Sequence, residues 1–412
     1  MRRRSLLLGL AAGIPATGGA MLWAPGAFAR NPHNSYFSLL NESLKREGPG
    51  RPVMLIDRDA VNHNVDMIAD SVGHKKKYRV VVKSLPSLAL LGHVMSRSKT
   101  NSLMVFHQPF LNAVAENLPQ SDVLLGKPLP VSAARTFYSK LGNRSYDAAN
   151  KIQWLIDSPD RLLQYMQLAK DLGVSLKLNI EIDVGLRRGG YSSVEQFNSS
   201  LEKTRASGSL VQISGLMGYE PHLTGQKAQF QDKSVQDVLA VYRGFKESLA
   251  NSGLDYRGMT FNGAGSHTLK IYEKDDTMND LSAGSAVVMP TDFDTYHLQE
   301  NRPACFIATP ILKRYEGNPF LQDPPKDMER LYYIYGGYWK ANIASPPTIG
   351  KPIYQSTNQS PITMAADVEL DVDDYVFYRP TQSEHVMLQF GDLITVSGGK
   401  LEKRWPVFTQ TG

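Results

Sequence analysis

The sequence predicts an α/β protein: a (β/α)8 TIM barrel followed by a C-terminal antiparallel β domain. Three observations carry this. From residue 52 the chain alternates short apolar runs with stretches whose apolar residues recur at helical spacing. Eight such β/α steps follow without a clear break, in about the length such a barrel needs. Beyond Val288 the texture changes to short alternating segments punctuated by Gly, Pro and Asp, the pattern of an antiparallel sheet. An open doubly wound sheet is the competing architecture, and the unbroken run of units favours the barrel.

In chain order, strands are expected at VMLID (53–57), RVVVK (79–83), SLMVF (102–106), DVLLG (122–126), IQWLID (152–157), SLKLNIEID (175–183), ISGLMGY (213–219) and GMTFNGAG (258–265). Val80, Val81 and Val82 show why: β-branched side chains suit a pleated, buried segment. Helices are expected between them at 60–72, 86–95, 109–118, 132–141, 158–172, 193–206 and 229–251, with Ser158 as an N-cap. The later segments CFIATPILKRYE, RLYYIYGG, DVELDVDDYVFYRPT and HVMLQFGDLITVSGGKLEKRWPVF read as the β domain. The chain thus divides into 1–29, a lead-in over 30–50 that can add an edge strand to the β domain, a barrel over 51–290, and the β domain over 291–412.

Residues 1–29 have a basic start, an apolar middle and a small-x-small end at Ala27-Phe28-Ala29. That is the layout of a secretory signal cleaved after Ala29, and Arg3-Arg4 before Ser5-Leu6-Leu7 resembles a twin-arginine signal. A membrane anchor is the alternative, since residues 5–29 carry no charge. Gly9, Gly13, Pro15, Gly18, Gly19 and Pro25 argue against a firm spanning helix. A periplasmic mature protein exported by the twin-arginine machinery is expected. The signal holds three arginines and no acid, which leaves 42 basic against 40 acidic side chains, a net +2. The run His74-Lys75-Lys76-Lys77 is too short for a nucleic-acid patch and reads as a solvated helix end. The single cysteine, Cys305, excludes an intrachain disulfide and a cysteine-based metal site.

Functional residues of such a barrel sit at the C-terminal ends of its strands. Asp57, Lys83, Asp183, Arg188, Tyr219 and the loop from Gly263 to His267 have such places. Lys83 is the sharpest of them. A partly desolvated lysine at a barrel top is a nucleophilic amine able to condense with carbonyl compounds; the competing role is a side chain that snorkels to solvent. The loop GAGSHT (263–268) follows a strand, and its backbone N–H groups can cradle a phosphate, or it is an ordinary turn. The segment DVGLRRGG (183–190) places Arg187 and Arg188 in a loop where a guanidinium can hold an anionic group. In GYEPHL (218–223), Tyr219 and His222 can stack on or bond to a ring.

Together these segments resemble the fold-type III pyridoxal-phosphate enzymes, and within them the D-threonine aldolase and D-serine dehydratase group, many of whose members are labelled alanine racemase. The ordered set RPVMLIDRDAVNHNV, YRVVVKSLPS, DVLLGKPL, NIEIDVGLRRGG, SGLMGYEPHL, GAGSHT and VFYRPTQSEHVMLQFGDL carries the resemblance over most of the mature chain. It implies that Lys83 is the Schiff-base lysine and Arg79 its companion. It implies that Arg188 contacts the cofactor ring with Tyr219 beside it, and that Gly263, Gly265, Ser266 and His267 bind the phosphate. It also implies that the β domain brings His385 to the active site, and that the protein is a homodimer.

The tail departs from the family pattern. Aldolases and dehydratases of this group hold a divalent metal with a His and, two residues on, a Cys or Asp. Here the segment reads Ser383-Glu384-His385-Val386-Met387, and a thioether is a poor ligand for Zn²⁺, Mn²⁺ or Mg²⁺. Either Glu384 or a distant carboxylate stands in, or no conventional metal is held; the last is the expectation, with His385 left to act as acid or base. The leading expected function is a pyridoxal-phosphate lyase, aldolase or dehydratase, on a β-hydroxy D-amino acid. The alternative is an amino-acid racemase pairing Lys83 with a second base, often a tyrosine from the other subunit, for which Tyr332, Tyr333, Tyr335 and Tyr378 are in the right domain. A non-catalytic ligand- or cofactor-binding protein is the third reading.

Overall fold

The structure is a computed structural model that describes residues 32–410 apart from 142–144, 207, 225–227, 318–319, 321–329, 348–353 and 366. The expected export signal over 1–29 lies outside the described residues. The first helix, α1 (Ser35–Glu47), occupies the lead-in in place of the edge strand that the sequence allows there. Asn34 starts it, its side-chain oxygen accepting the Phe37 N–H at 3.0 Å. Phe37, Leu40 and Leu44 fall on one face and bury against Val53, Leu55, Phe306, Phe377 and Ile394 of the β-domain sheet. That spacing is helical, not alternating, and each such side chain contributes about 1.5–3 kcal/mol on burial.

Next come β1 (Val53–Asp57) and α2 (Arg58–Val72), with Asp57 capping the helix by accepting the Ala60 N–H. The barrel strands follow: β2 (Lys77–Val81), β3 (Ser102–Val105), β4 (Asp122–Leu125), β5 (Ile152–Ile156), β6 (Leu176–Glu181), β7 (Val211–Met217), β8 (Thr260–Gly263) and β9 (Asp280–Ala283). All are parallel, and β9 closes the barrel on β2. Between them run α3 (Leu88–Ser98), α4 (Gln108–Asn117), α5 (Val131–Leu141), α6 (Ala148–Lys151), α7 (Pro159–Leu172), α8 (Val194–Ala206) and α9 (Ala228–Asn251). Ser158 caps α7 as expected, accepting the Arg161 N–H.

The barrel is there, but its strand list differs from the expected one at both ends. The segment VMLID does not enter it: β1 pairs antiparallel with β10 (Cys305–Glu316) and parallel with β15 (Asp392–Ser397). All five of its residues are buried, so the run has no alternation that could assign it to one sheet or the other. The strand that closes the barrel, β9, has one large apolar residue, Leu281, and no strand-like pattern. The other strands of the β domain are β11 (Arg330–Tyr335), β12 (Ala341–Ser345), β13 (Gln359–Met364), β14 (Tyr375–Pro380) and β16 (Lys400–Pro406), with a short helix α10 (Glu384–Leu388) after β14. Apart from the β1–β15 pair this sheet is antiparallel. Cys305 is wholly buried, and burial pushes its thiol up to about 12.

A polar layer fills the lower barrel. Arg79, fully buried on β2, donates to both oxygens of Asp280 at 2.8 Å, to Asp122 at 3.0 Å, and to the Leu103 and Asp122 carbonyls. Asn262 donates to the same Asp280 at 2.6 Å, while Gln153 bridges Thr260, Asn179 and Ser214. Burial alone would push the Asp122 carboxyl up; Arg79 beside it wins and holds it below the usual range. Among the described residues no helix is long and apolar enough to cross a membrane.

Candidate active site

At the top of the barrel lies a cavity of about 300 Å³, walled by the ends of several strands and roofed by the chain around α10. Strand β2 ends at Val81, and Val82–Ser84 makes a 3-10 turn whose valine and serine are buried. That turn leaves the Lys83 side chain partly exposed in the cavity. Its ammonium lies 2.5 Å from Glu384 Oε1 and 5.0 Å from the centre of the Phe106 ring. Gly126 stands behind that ring, where any Cβ would overlap it. The β domain thus reaches the barrel top through Glu384, the first residue of α10.

On another wall, the Arg188 guanidinium sits 4.7 Å from the centre of the Tyr219 ring. Asp183 shapes the Arg188 loop by accepting the Gly185 and Arg187 N–H groups, both at 3.0 Å. Burial raises the Tyr219 phenol above its usual range. Gly265 lies against that tyrosine, and a Cβ there would come within 2.9 Å of Cε2. Ala264 before it holds φ at 66°, a left-handed conformation that costs a non-glycine residue about 1–3 kcal/mol. Ser266 Oγ accepts the Gly284 and Ala286 N–H groups at 3.2 and 3.0 Å, so its own O–H remains a donor. Ser285 bonds Ser84 at 3.1 Å, tying this second small-residue loop to the Lys83 turn. His267 stacks on Phe293 at 4.2 Å, and burial lowers its pKa.

Six of the residues singled out from sequence therefore share one cavity: Lys83, Arg188, Tyr219, Gly265, Ser266 and His267. Seven do not line it: Asp57, Arg79, Asp183, Arg187, His222, Gly263 and His385. Arg79 is in the polar layer below, two residues before the end of β2 and pointing inward. Gly263 is the last residue of β8, packed on the Met278 sulfur. His222 lies behind the Arg188 loop, its ring 3.4 Å from where a Cβ at Gly185 would be. His385 is exposed on α10, while Met387 is wholly buried in the core. Asp57 ends a β-domain strand and takes a hydrogen bond from Tyr36 at 2.7 Å, outside the barrel altogether. Among the described residues no group of three or more His, Cys, Asp or Glu side chains converges as a metal would require.

Residues not singled out for this wall include Phe106, Gly284, Ser285 and Phe293. The run Ser282-Ala283-Gly284-Ser285-Ala286 is the signal for two of them: small residues just past a strand end let backbone approach a ligand closely. Glu384 stood in the sequence only as a stand-in for a metal ligand; its contact with Lys83 is visible only in three dimensions.

Under the Gly265 loop lies Glu220, fully buried. Its Oε1 accepts the Thr268 hydroxyl at 2.8 Å, and Thr268 in turn accepts the Gly265 N–H at 3.0 Å. Among the described residues Oε2 has no partner. Burial pushes the carboxyl up to about 7, against the pull of the Thr268 hydrogen bond. From the ordinary value of 4.5 to about pH 7, the unfolded chain releases this proton while the folded chain keeps it. Stability therefore falls as pH rises through that window, by about 3 kcal/mol. Glu220→Gln is expected to flatten this fall, giving a variant more stable than the parent at about pH 8 and close to it at about pH 5. Urea unfolding of both proteins at the two pH values checks it; equal pH dependence in both would refute the assignment.

The family model described as alanine racemase, N-terminal domain, matches residues 56–290. No curated protein matches the chain significantly. Among solved structures, a D-threonine aldolase from Filomicrobium marinum superposes with a TM-score of 0.69 at 15% identity, covering 88% of this chain and 98% of that one. A D-threo-3-hydroxyaspartate dehydratase from Delftia sp. HT23 gives 0.70 at 12% identity, covering 89% and 98%. An alanine racemase from Bacillus anthracis gives 0.66 at 13% identity, covering 86% and 97%. At such identities the likeness shows a shared fold; reaction and substrate differ among the three.

Proposed function

Because this chain belongs to the alanine racemase N-terminal domain family, we propose that it is a pyridoxal-phosphate enzyme, a lyase acting on a β-hydroxy D-amino acid. The cavity's donor set fits the cofactor. Lys83 offers the amine that would hold its aldehyde carbon. The Gly265–His267 and Gly284–Ser285 loops present backbone and hydroxyl groups suited to a phosphate. Arg188 and Tyr219 form a cationic and aromatic wall for a ring. Bound there, pyridoxal phosphate supplies an electron sink for whichever bond breaks at the substrate Cα. Arg188 also offers a fork for the substrate's carboxylate or the ring's anionic edge.

The observation that carries the lyase reading is the contact between Lys83 and Glu384. Lys83 and Glu384 lie 2.5 Å apart and so cannot themselves flank one carbon from opposite faces; they favour proton transfer on one face, and a racemase would need its second base from another group, such as a tyrosine of the partner subunit. The four tyrosine candidates for a second base lie away from the cavity of their own chain. Tyr332 is buried with its hydroxyl on the Val368 carbonyl and Tyr378 is buried, so neither is free to serve a second subunit; Tyr333 packs on Tyr315 and Tyr335 is exposed, and none of the four lines the cavity of its own chain. Tyr219 does line it, but its raised pKa keeps the phenol protonated. The racemase is the second reading, favoured by His267, an imidazole in the same cavity that burial keeps neutral. The layout of residues 1–29 supports work in the periplasm after export in the folded state, and the resemblance supports a homodimer; both belong to the proposal.

The test is to load the purified protein with pyridoxal phosphate, incubate it with D- and L-amino acids, and score three products separately. Glycine with an aldehyde, or oxo acid with ammonia, from a D-β-hydroxy amino acid is the expected result. Enantiomer as the sole product would establish the racemase instead. A protein that stays colourless with added cofactor would sink both. Activity is expected to survive a chelator, since the donors above include no metal-binding cluster.

A further inference from the structure

We propose that Glu384 is the catalytic base that takes the proton from the substrate's β-hydroxyl, which makes the cleavage an aldol-type one. This rests on the lyase reading above and names the group that performs it. Three features of the site point to this glutamate. It is the only carboxylate lining the cavity among the described residues. Its partner is Lys83, the amine that would hold the cofactor's aldehyde and that an incoming amino acid would set free again, so the carboxylate stands beside the group able to receive its proton. It also comes from α10 of the β domain, whereas Arg188, Tyr219 and the Gly265 loop that would hold ring and phosphate come from the barrel.

The step balances without an outside reagent. The β O–H bond breaks and its proton goes to a Glu384 oxygen. The O–H electron pair forms the aldehyde C=O, while the Cα–Cβ bond breaks and leaves its pair at Cα. Glu384 passes its proton across the short contact to Lys83, which delivers it to Cα. The products are glycine and an aldehyde.

Glu384→Gln tests this with three measurements on one protein. Cofactor uptake, read by visible absorbance and by borohydride reduction that locates it on Lys83, should match wild type. Cleavage of a D-β-hydroxy amino acid should lose about 10²–10⁴-fold in kcat, with Glu384→Asp recovering part. Exchange of the Cα hydrogen of D-alanine in deuterated water should stay within about threefold of wild type, because that substrate has no β-hydroxyl and needs only Lys83. Unchanged cleavage would overturn the proposal. So would an exchange rate that falls as far as cleavage does, which would make Glu384 a servant of Lys83. If instead wild type takes up the cofactor but never releases an aldehyde, the aldol-type reading itself has failed, whatever the variant does.

Discussion

A Lys83→Ala protein is expected to remain colourless with pyridoxal phosphate and to lose at least about 10³-fold in turnover. Among the described residues Lys83 is the only amine lining the cavity, so no neighbouring lysine can replace it. The side chain sits just past the end of β2 in a turn anchored by buried Val82 and Ser84, and it is partly exposed. Its removal therefore strips chemistry from the site without opening the core, and the thermal midpoint should move little. Lys83→Arg is a stricter control. It keeps the positive charge opposite Glu384, but a guanidinium stays protonated and does not condense with an aldehyde. It should be as colourless as the alanine variant. A Lys83→Ala protein that stays yellow after dialysis and still turns over would remove the foundation of the proposed function.

Arg79→Ala is expected to destabilise the fold by about 3–5 kcal/mol, the cost of leaving buried carboxylates without their cation. Arg79 and Asp280 are both fully buried, and the guanidinium fork bonds both Asp280 oxygens as well as Asp122 and two carbonyls. Those partners lie on β9, β4 and β3, so a single side chain ties the closing strand of the barrel to three others. Denaturant unfolding monitored by circular dichroism checks the loss, and a cost under about 1 kcal/mol, typical of a surface pair, would contradict it. The effect should fall on stability and not on cofactor affinity per folded molecule, which separates this role from the companion-of-Lys83 role that the resemblance implies. Adding Asp280→Asn should recover part of the loss, because it removes the most deeply buried of the orphaned charges.

Most barrel strands, their helices and the residues at their upper ends could be read from local pattern. Period and β-branching depend on neighbours in the chain, and a βα unit places the residue after its strand at the barrel top wherever the unit sits in the ring. That is why Lys83, Arg188, Tyr219, Gly265, Ser266 and His267 converge as read. Local pattern has no way to choose between sheets. β1 reads like a barrel strand yet pairs with β10 and β15, from far along the chain, and the strand that closes the barrel, β9, is held by Leu281 and by the Asp280–Arg79 pair more than by any period of its own. Side-chain direction is likewise set by packing. Arg79 and Lys83 share one segment, but Arg79 sits within β2 in a buried ion-pair layer, while the turn that follows carries Lys83 into the cavity above it. Glu384 and His385 are adjacent, and only the way α10 packs on the barrel decides that the carboxylate, rather than the imidazole, meets the lysine.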